Sequence, residues 1–184
     1  MKEEQLISKA KRNERKAQQL LFARYKSYWY SICLRYGRNE HDALDMLQNG
    51  LINIYTKINQ FNSERGNFKS WSSRIIVNDC LMFLRKNSFK SEDLNDHHGI
   101  FDKSETSLDI LSAEELTKLI QQLPDGYRAV FNLYILEGYN HKEIAEKLNI
   151  SEGTSKSQLF KAKKLLREKL ETLYQLESRT DEQH

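Results

Sequence analysis

Lys156, Lys161 and Lys164 stand with Ser157 and Gln158 in the stretch KEIAEKLNISEGTSKSQLFKAKKLL, which runs from Lys142 to Leu166. Long cationic and amide side chains at helical spacing can reach phosphates and base edges in a major groove. A second polar set lies upstream, in the loop Asn62 to Asn67, including Ser63, and then in Lys69, Arg74, Asn78, Arg85 and Lys86. Its chemistry is different. A polar loop can hydrogen-bond a base taken out of the stack, which costs a few kcal/mol per base, and nearby cations can track the backbone phosphates. Trp71 is the obvious aromatic for stacking on such a base, but it begins an apolar helical stripe and is expected in the core.

Other chemistries find no residues to perform them. The sequence offers no glycine-rich phosphate loop, no nucleophile arrangement and no metal-ligand spacing, so neither a catalytic site nor a metal or other cofactor is expected. Cys33 and Cys80 lie far apart, each within an apolar helical pattern, and read as buried thiols. The histidines at 41, 97, 98, 141 and 184 are scattered. Asp42 and Asp45 form an Asp-x-x-Asp pair too common to imply a metal.

The formal net charge is only +3, and its distribution says more than its size. Basic residues gather from Lys69 to Lys90 and again from Lys156 to Lys169, with Glu92, Asp93, Asp96, Asp102, Glu105 and Asp109 between them. Two basic patches across an acidic stretch suggest two contacts with a polyanion.

The elements that must position these residues read as helices. A chain of 184 residues is long enough for one ordinary domain or two small helical ones, and one proline, seven glycines and 30% charged residues suit a mostly helical protein. Ala17, Leu20, Leu21, Tyr25, Tyr28, Trp29 and Ile32 make one apolar stripe, stopped by Gly37-Arg38-Asn39. Asn39 is a plausible cap for the next helix, whose inner side carries Ala43, Met46, Leu47, Leu51, Ile54, Tyr55 and Ile58. A third helix follows the loop. Residues 87–111 lose periodicity and read as a tether, with a helical turn near Ser107 to Leu111. Ser112 and Glu115 form a capping box for the second half, in which Pro124, Gly126 and Gly138 punctuate further helices. No apolar run is long enough to span a bilayer and the N-terminus lacks the pattern of a signal peptide, so direct membrane insertion is not expected and a cytoplasmic location is.

Within the Lys142 to Leu166 stretch, Ile144, Ala145, Leu148 and Ile150 supply a first helix and turn anchor, and Ser151 caps a second helix that Glu152 favours electrostatically. This is the pattern of a helix-turn-helix, with Gln158, Lys161 and Lys164 expected on one outward face beside Lys156. A basic amphipathic helix with a solvated face is the alternative. Ser155 is the odd letter, since an apolar residue is expected against the first helix there. Replacing it by valine is expected to stabilise the domain.

QQLPDGYRAVFNLYILEGYNHKEIAEKLNISEGTSKSQLFKAKKLL resembles region 4 of bacterial sigma factors, above all the small extracytoplasmic-function (ECF) group. Leu123-Pro124, Tyr127-Arg128, Phe131, Gly138, Ile144-Ala145, Leu148, Ser151 to Thr154, Lys156-Ser157 and Ala162 carry it; valine usually stands at the position of Ser155. HDALDMLQNGLINIYTKINQF is similar to the region-2 helix that docks on the polymerase clamp, with Leu44 and Asn49 where acids are usual. Taken alone that helix reads as an ordinary amphipathic core helix. FNSERGNFKSWSSRIIVNDCLMFLRK resembles the segment that opens and reads the minus-ten element, with Met82 in place of a frequent aspartate and Val77 in place of a basic residue.

The resemblance implies an all-α fold: a region-2 bundle over 1–88, a flexible linker over 89–111, a region-4 helix-turn-helix over 112–175, and a disordered tail over 176–184. It implies a non-enzymatic promoter-specificity subunit of RNA polymerase. Asn62, Ser63, Lys69, Arg74, Asn78, Arg85 and Lys86 would contact the minus-ten element. Ser151, Thr154, Lys156, Ser157, Gln158, Lys161 and Lys164 would contact the minus-thirty-five element. Asp42, Asp45, Gln48 and Asn49 would meet the polymerase. Core polymerase, promoter DNA and an anti-sigma factor are the expected partners, with no small-molecule substrate. The alternative is a stand-alone helix-turn-helix regulator that binds DNA without polymerase.

Overall fold

The computed structural model describes residues 2–88 and 112–181, and every regular element among them is helical. The chain divides into two compact units, Met1–Phe89 and Lys90–His184. The tether expected over 89–111, including the turn near Ser107, lies outside the described residues, as do 182–184.

In the first unit, α1 (Glu3–Lys11), α2 (Arg15–Tyr36), α3 (Glu40–Lys57) and α4 (Phe68–Ser88) pack together, with short 3-10 turns at Ile58–Gln60 and Ser63–Arg65. The stripe on α2 buries Ala17, Leu21, Tyr25, Trp29, Ile32, Cys33 and Tyr36 at helical intervals. Leu20, expected in that stripe, is instead 41% exposed, one position off the buried line. Tyr36 ends the helix, and Asn39 caps α3 by accepting a hydrogen bond from the Asp42 N–H at 2.9 Å. Gly50 permits the close crossing of α3 and α4: a Cβ there would lie 2.3 Å from Ile76 Cδ1. Cys33 and Cys80 are both free and buried.

The second unit holds α5 (Ala113–Gln121), α6 (Asp125–Phe131), a π-helical turn at Asn132–Leu136, α7 (His141–Leu148) and α8 (Glu152–Asp181). Capping boxes open α5, through Ser112 and Glu115, and α7, through Asn140 and Glu143. Asn149, in the left-handed conformation at φ 56°, ends α7, and Ser151 Oγ accepts from the Thr154 N–H at 2.9 Å to start α8. Ile144 of α7 and Leu159, Ala162, Leu166 and Leu170 of α8 are buried. The helix α8 continues through Asp181, past residue 175 where a disordered tail was expected.

This unit closes around charge. Arg128 is completely buried, donating from Nη1 to the carbonyls of Gln121 at 3.1 Å and Leu123 at 2.7 Å, and from Nη2 to Asp125 Oδ1. It thereby caps the last carbonyl of α5, that of Gln121, and ties it through Leu123 in the connection to the start of α6.

Candidate nucleic-acid interface

The first candidate face begins at a loop with a rigid aromatic base. Phe61 and Phe68, at the two ends of the Asn62 to Asn67 loop, meet edge-on with ring centroids 5.4 Å apart, and Trp71 lies 5.4 Å from Phe61 and 5.6 Å from Phe68. Both phenylalanines are buried, whereas Trp71 is only half-buried. The loop above them is exposed throughout. Asn62 Oδ1 accepts from the Glu64 N–H at 2.9 Å, and Asn67 Oδ1 accepts from the Ser70 N–H at 2.8 Å, so each asparagine fixes one end of the turn. Gly66 takes φ 144°, a conformation left open to glycine.

From this loop α4 carries the cations outward. Arg74, Asn78, Met82 and Lys86 follow one another every four residues and are all exposed, with Arg85 beside them. Lys69 is exposed and its ammonium sits 4.1 Å from the centre of the Tyr28 ring. Behind it, Ser73 Oγ donates to Lys69 O at 2.6 Å and lies 3.0 Å from the Tyr28 hydroxyl, while Trp29 Nε1 donates to Ser72 Oγ at 3.0 Å. All seven candidate minus-ten residues therefore lie on the surface, and the buried serines and Trp29 hold the first turn of α4 beneath them.

The second candidate face is on α8. Lys156 and Lys164 are exposed, Ser157 and Lys161 half-buried, and Ser151 exposed at the helix start. Lys161 leans over Tyr127 at 5.9 Å, and Lys164 reaches Glu168 at 3.9 Å. Ser151 and Thr154 spend their hydroxyls partly on each other, 2.8 Å apart. Gln158 differs from expectation: it is 5% exposed, turned against α6, where a Cβ on Gly126 would meet its Nε2 at 3.1 Å. It cannot share the outward face of Lys156 and Lys164. Lys163, absent from the expected set, is exposed on the same helix. Its cationic type and helical position were visible in the sequence, but the expected face was rotated away from it.

Ser155 also differs. It is completely buried, as an apolar residue would be, yet its Oγ lies 2.9 Å from His141 Nδ1, and the His141 ring stacks on Tyr134 at 4.6 Å. Its hydroxyl is used across the helix-turn-helix crossing rather than on DNA. Burial, and then the neighbouring charge of Lys156, hold His141 below its ordinary value, with Lys163 acting the same way against Glu152.

On α3, the outward residues include Gln48 and Asn49, with Asp45 half-buried and 3.7 Å from His41. Asp42 does not join them. It is 7% exposed, and Oδ2 accepts from Arg38 Nε at 2.9 Å and from the Arg38 N–H at 3.3 Å. Its carboxylate organises the turn before α3 rather than facing outward. Leu44 and Ile52, 54% and 59% exposed, bracket Gln48 at four-residue steps and add an apolar component that the acidic pattern did not suggest.

Among the described residues no helix is long and apolar enough to cross a membrane, and no group of three or more His, Cys, Asp or Glu side chains is placed to hold a metal.

Two helical units, one with a polar loop and a cationic helix and the other a helix-turn-helix, define a two-module DNA-binding protein. The family description "Sigma-70 region 2" matches residues 21–90, and "Sigma-70, region 4" matches 113–166. The chain is 31% identical to the ECF RNA polymerase sigma factor SigW of Bacillus subtilis over 187 residues, covering 92% of this chain and 100% of that one. It is 29% identical to SigM of the same organism, covering 84% and 93%, and 25% identical to the ECF RNA polymerase sigma-E factor of Haemophilus influenzae, covering 91% and 95%. The fold is similar to that of the sigma factor RpoE of Bartonella quintana, solved in complex with the anti-sigma factor NepR, with TM-score 0.50, 20% identity, and 83% and 96% of the two chains covered. The chain belongs to the ECF sigma factors of the sigma-70 family.

Proposed function

We propose that this sigma factor binds core RNA polymerase through α3, recognises the minus-thirty-five element through α8, and reads and opens the minus-ten element with the Asn62 to Asn67 loop and α4. The observation that carries this reading is the presence of both sigma-70 segments, in family order, on one chain. Its module boundaries are proposed as 1–88 and 112–175, with 89–111 as the tether. The chain supplies contacts rather than chemistry, since phosphoryl transfer belongs to the polymerase, and it acts in the cytoplasm.

At the minus-ten element, Asn62 and Ser63 offer hydrogen bonds to an unstacked base, while Lys69, Arg74, Arg85 and Lys86 follow the phosphates with Asn78 between them. At the minus-thirty-five element, Lys156, Ser157, Lys161 and Lys164 make the contacts, joined by Lys163, with Ser151 and Thr154 at the helix start where anions are favoured. The polymerase surface comprises Asp45, Gln48 and Asn49 with Leu44 and Ile52, a mixed polar and apolar patch suited to protein rather than nucleic acid. An anti-sigma factor is the proposed regulatory partner.

The test is run-off transcription by core polymerase with and without the chain, on duplexes randomised in both promoter elements. Enrichment of one pair of elements that depends on the chain, together with its association with core enzyme, is the expected result. Tight sequence-specific binding without polymerase, and no association with it, would make the protein a stand-alone regulator instead.

A further inference from the structure

The start of the Asn62 to Asn67 loop is held by a residue fifty positions earlier. Lys11, the last residue of α1, donates from Nζ to the carbonyl oxygen of Phe61 at 2.7 Å, and the same ammonium lies 5.8 Å from the centre of the Phe61 ring. Phe61 is the residue immediately before the loop. Its N–H is already bonded back to Ile58 O at 3.1 Å, and its ring is fixed against Phe68 and Trp71. The Lys11 bond therefore completes the restraint on Phe61: amide, ring and carbonyl each have a partner.

Lys11 is itself well placed to act as an anchor. The α1 helix buries Leu6, Ile7 and Ala10, and Tyr25 donates to Glu3 Oε2 at 2.5 Å, with Arg24 3.6 Å from the same carboxylate oxygen. At the other end, Asn13 in the left-handed conformation closes the turn into α2, where Lys9 and Glu14 lie 3.8 Å apart. A lysine on a helix pinned at both ends delivers its charge to one carbonyl with little freedom left to lose. That cation is half-buried and engaged within the protein, so its electrostatic contribution goes to loop geometry rather than to a phosphate.

We infer that Lys11 is a positioning residue for promoter reading: by fixing the Phe61 carbonyl it sets the direction in which the loop leaves the aromatic base, and so where Asn62 and Ser63 meet an unstacked base. This rests on the proposed role of the loop. Loss of the ammonium leaves Phe61 packed but frees the peptide plane that leads into Asn62. The consequence is weaker discrimination between bases at the minus-ten element, with polymerase binding retained, because α3 is untouched.

The experiment compares wild type, Lys11→Met, Lys11→Arg and Ser63→Ala as full chains with core polymerase. Run-off rates are measured on the selected promoter and on versions carrying single-base changes in the minus-ten element. Affinity for core enzyme is measured by competition, and folding of the first unit is followed by fluorescence of Trp29 and Trp71. Lys11→Met should narrow the preference for the selected base by about tenfold, the scale of one charge-assisted hydrogen bond. Lys11→Arg should restore most of it, since a guanidinium can donate to the same carbonyl, and core affinity should not move. A general packing defect would not be rescued by arginine and would lower the unfolding midpoint instead. If Ser63→Ala narrows the preference and Lys11→Met does not, the inference about Lys11 is wrong while the loop reading stands. If neither variant changes the preference, the loop reading fails and the inference falls with it.

Discussion

Replacing Arg128 by methionine keeps the apolar stem and removes the guanidinium from the centre of the second unit. The carbonyls of Gln121 and Leu123 and the carboxylate of Asp125, only 17% exposed, then lose their cationic donor. Breaking a buried ion pair by deleting one partner costs about 3–5 kcal/mol. A whole domain has only about 5–15 kcal/mol of stability, with small domains at the lower end. The substitution should therefore unfold much of the second unit at ambient temperature and leave the first intact. The sequence provides the assay, because both tryptophans, Trp29 and Trp71, belong to the first unit, whereas helical circular dichroism reports on both. For Arg128→Met the dichroism should lose amplitude or gain an early transition, while the tryptophan transition keeps its midpoint. Recognition of the minus-thirty-five element should be lost and core polymerase binding retained. Coincident loss of both signals would refute the independence of the units; an unchanged dichroism curve would refute the structural role given to Arg128.

Other outcomes follow from single contacts. Ser155→Val removes the bond to His141, worth about 1 kcal/mol, and forces extra bulk into a completely buried site at a cost of about 1–3 kcal/mol. The gain from burying a valine side chain, about 1–2 kcal/mol, does not offset both. The second unit should thus melt at a lower temperature, the reverse of the expectation from pattern alone, and a higher midpoint by dichroism would restore that expectation. His141, held below its ordinary value of 6.5, binds fewer protons in the folded state than in the unfolded chain as pH falls through that region. Its contribution is complete above 6.5 and is lost as pH falls through the folded value; melting at pH 7.5 and pH 5 should show a larger drop for wild type than for His141→Asn, and equal drops would exclude His141 as the cause. Ile52→Glu and Asp45→Arg should each weaken competition for core polymerase, the first by about tenfold, the usual scale for an interface anchor. Since Ile52 is 59% exposed, the melting midpoint should hold, and unchanged competition would remove these residues from the polymerase surface.

The helices were legible in the sequence because their signals are local. Asn39, Ser112, Asn140 and Ser151 each lie within three residues of the amide they cap, and the apolar stripes repeat within one helix. The exposed residues of α4 were legible for the same reason. What the sequence hid depends on partners far along the chain. Lys11 acts on Phe61, and Ser155 on His141, across separations of 50 and 14 residues that no periodicity encodes. Asp42 departs from its pattern for another reason: its carboxylate has the right type for an acidic docking face, but Arg38, four residues earlier, draws it inward. Leu44 breaks an acidic pattern, yet its exposure places it on the same outward surface as Gln48.

Gln158 and Ser155 share a cause that reaches into function. The buried contacts of the second unit include Arg128 and Asn132 as well as these two, all at most 5% exposed. Apolar surfaces slide at small cost, whereas hydrogen bonds at a crossing are directional, and a misaligned polar group loses its partner altogether. At the crossing of α8 with α7 the Ser155 hydroxyl meets the His141 ring, a directional contact that fixes the pitch, while against α6 the Gln158 side chain makes a steric fit beside Gly126, where a Cβ would lie 3.1 Å from its Nε2. That pitch determines which side of α8 faces outward, and it turns Gln158 in while leaving Lys156, Lys163 and Lys164 out. A sequence pattern that assumes an apolar crossing therefore rotates the recognition face by the angle between those side chains. On the proposed reading of α8, Ser155 and Gln158 would orient the helix from its buried side, and substitutions there should alter promoter preference in run-off transcription while the exposed Lys156, Lys163 and Lys164 remain in place.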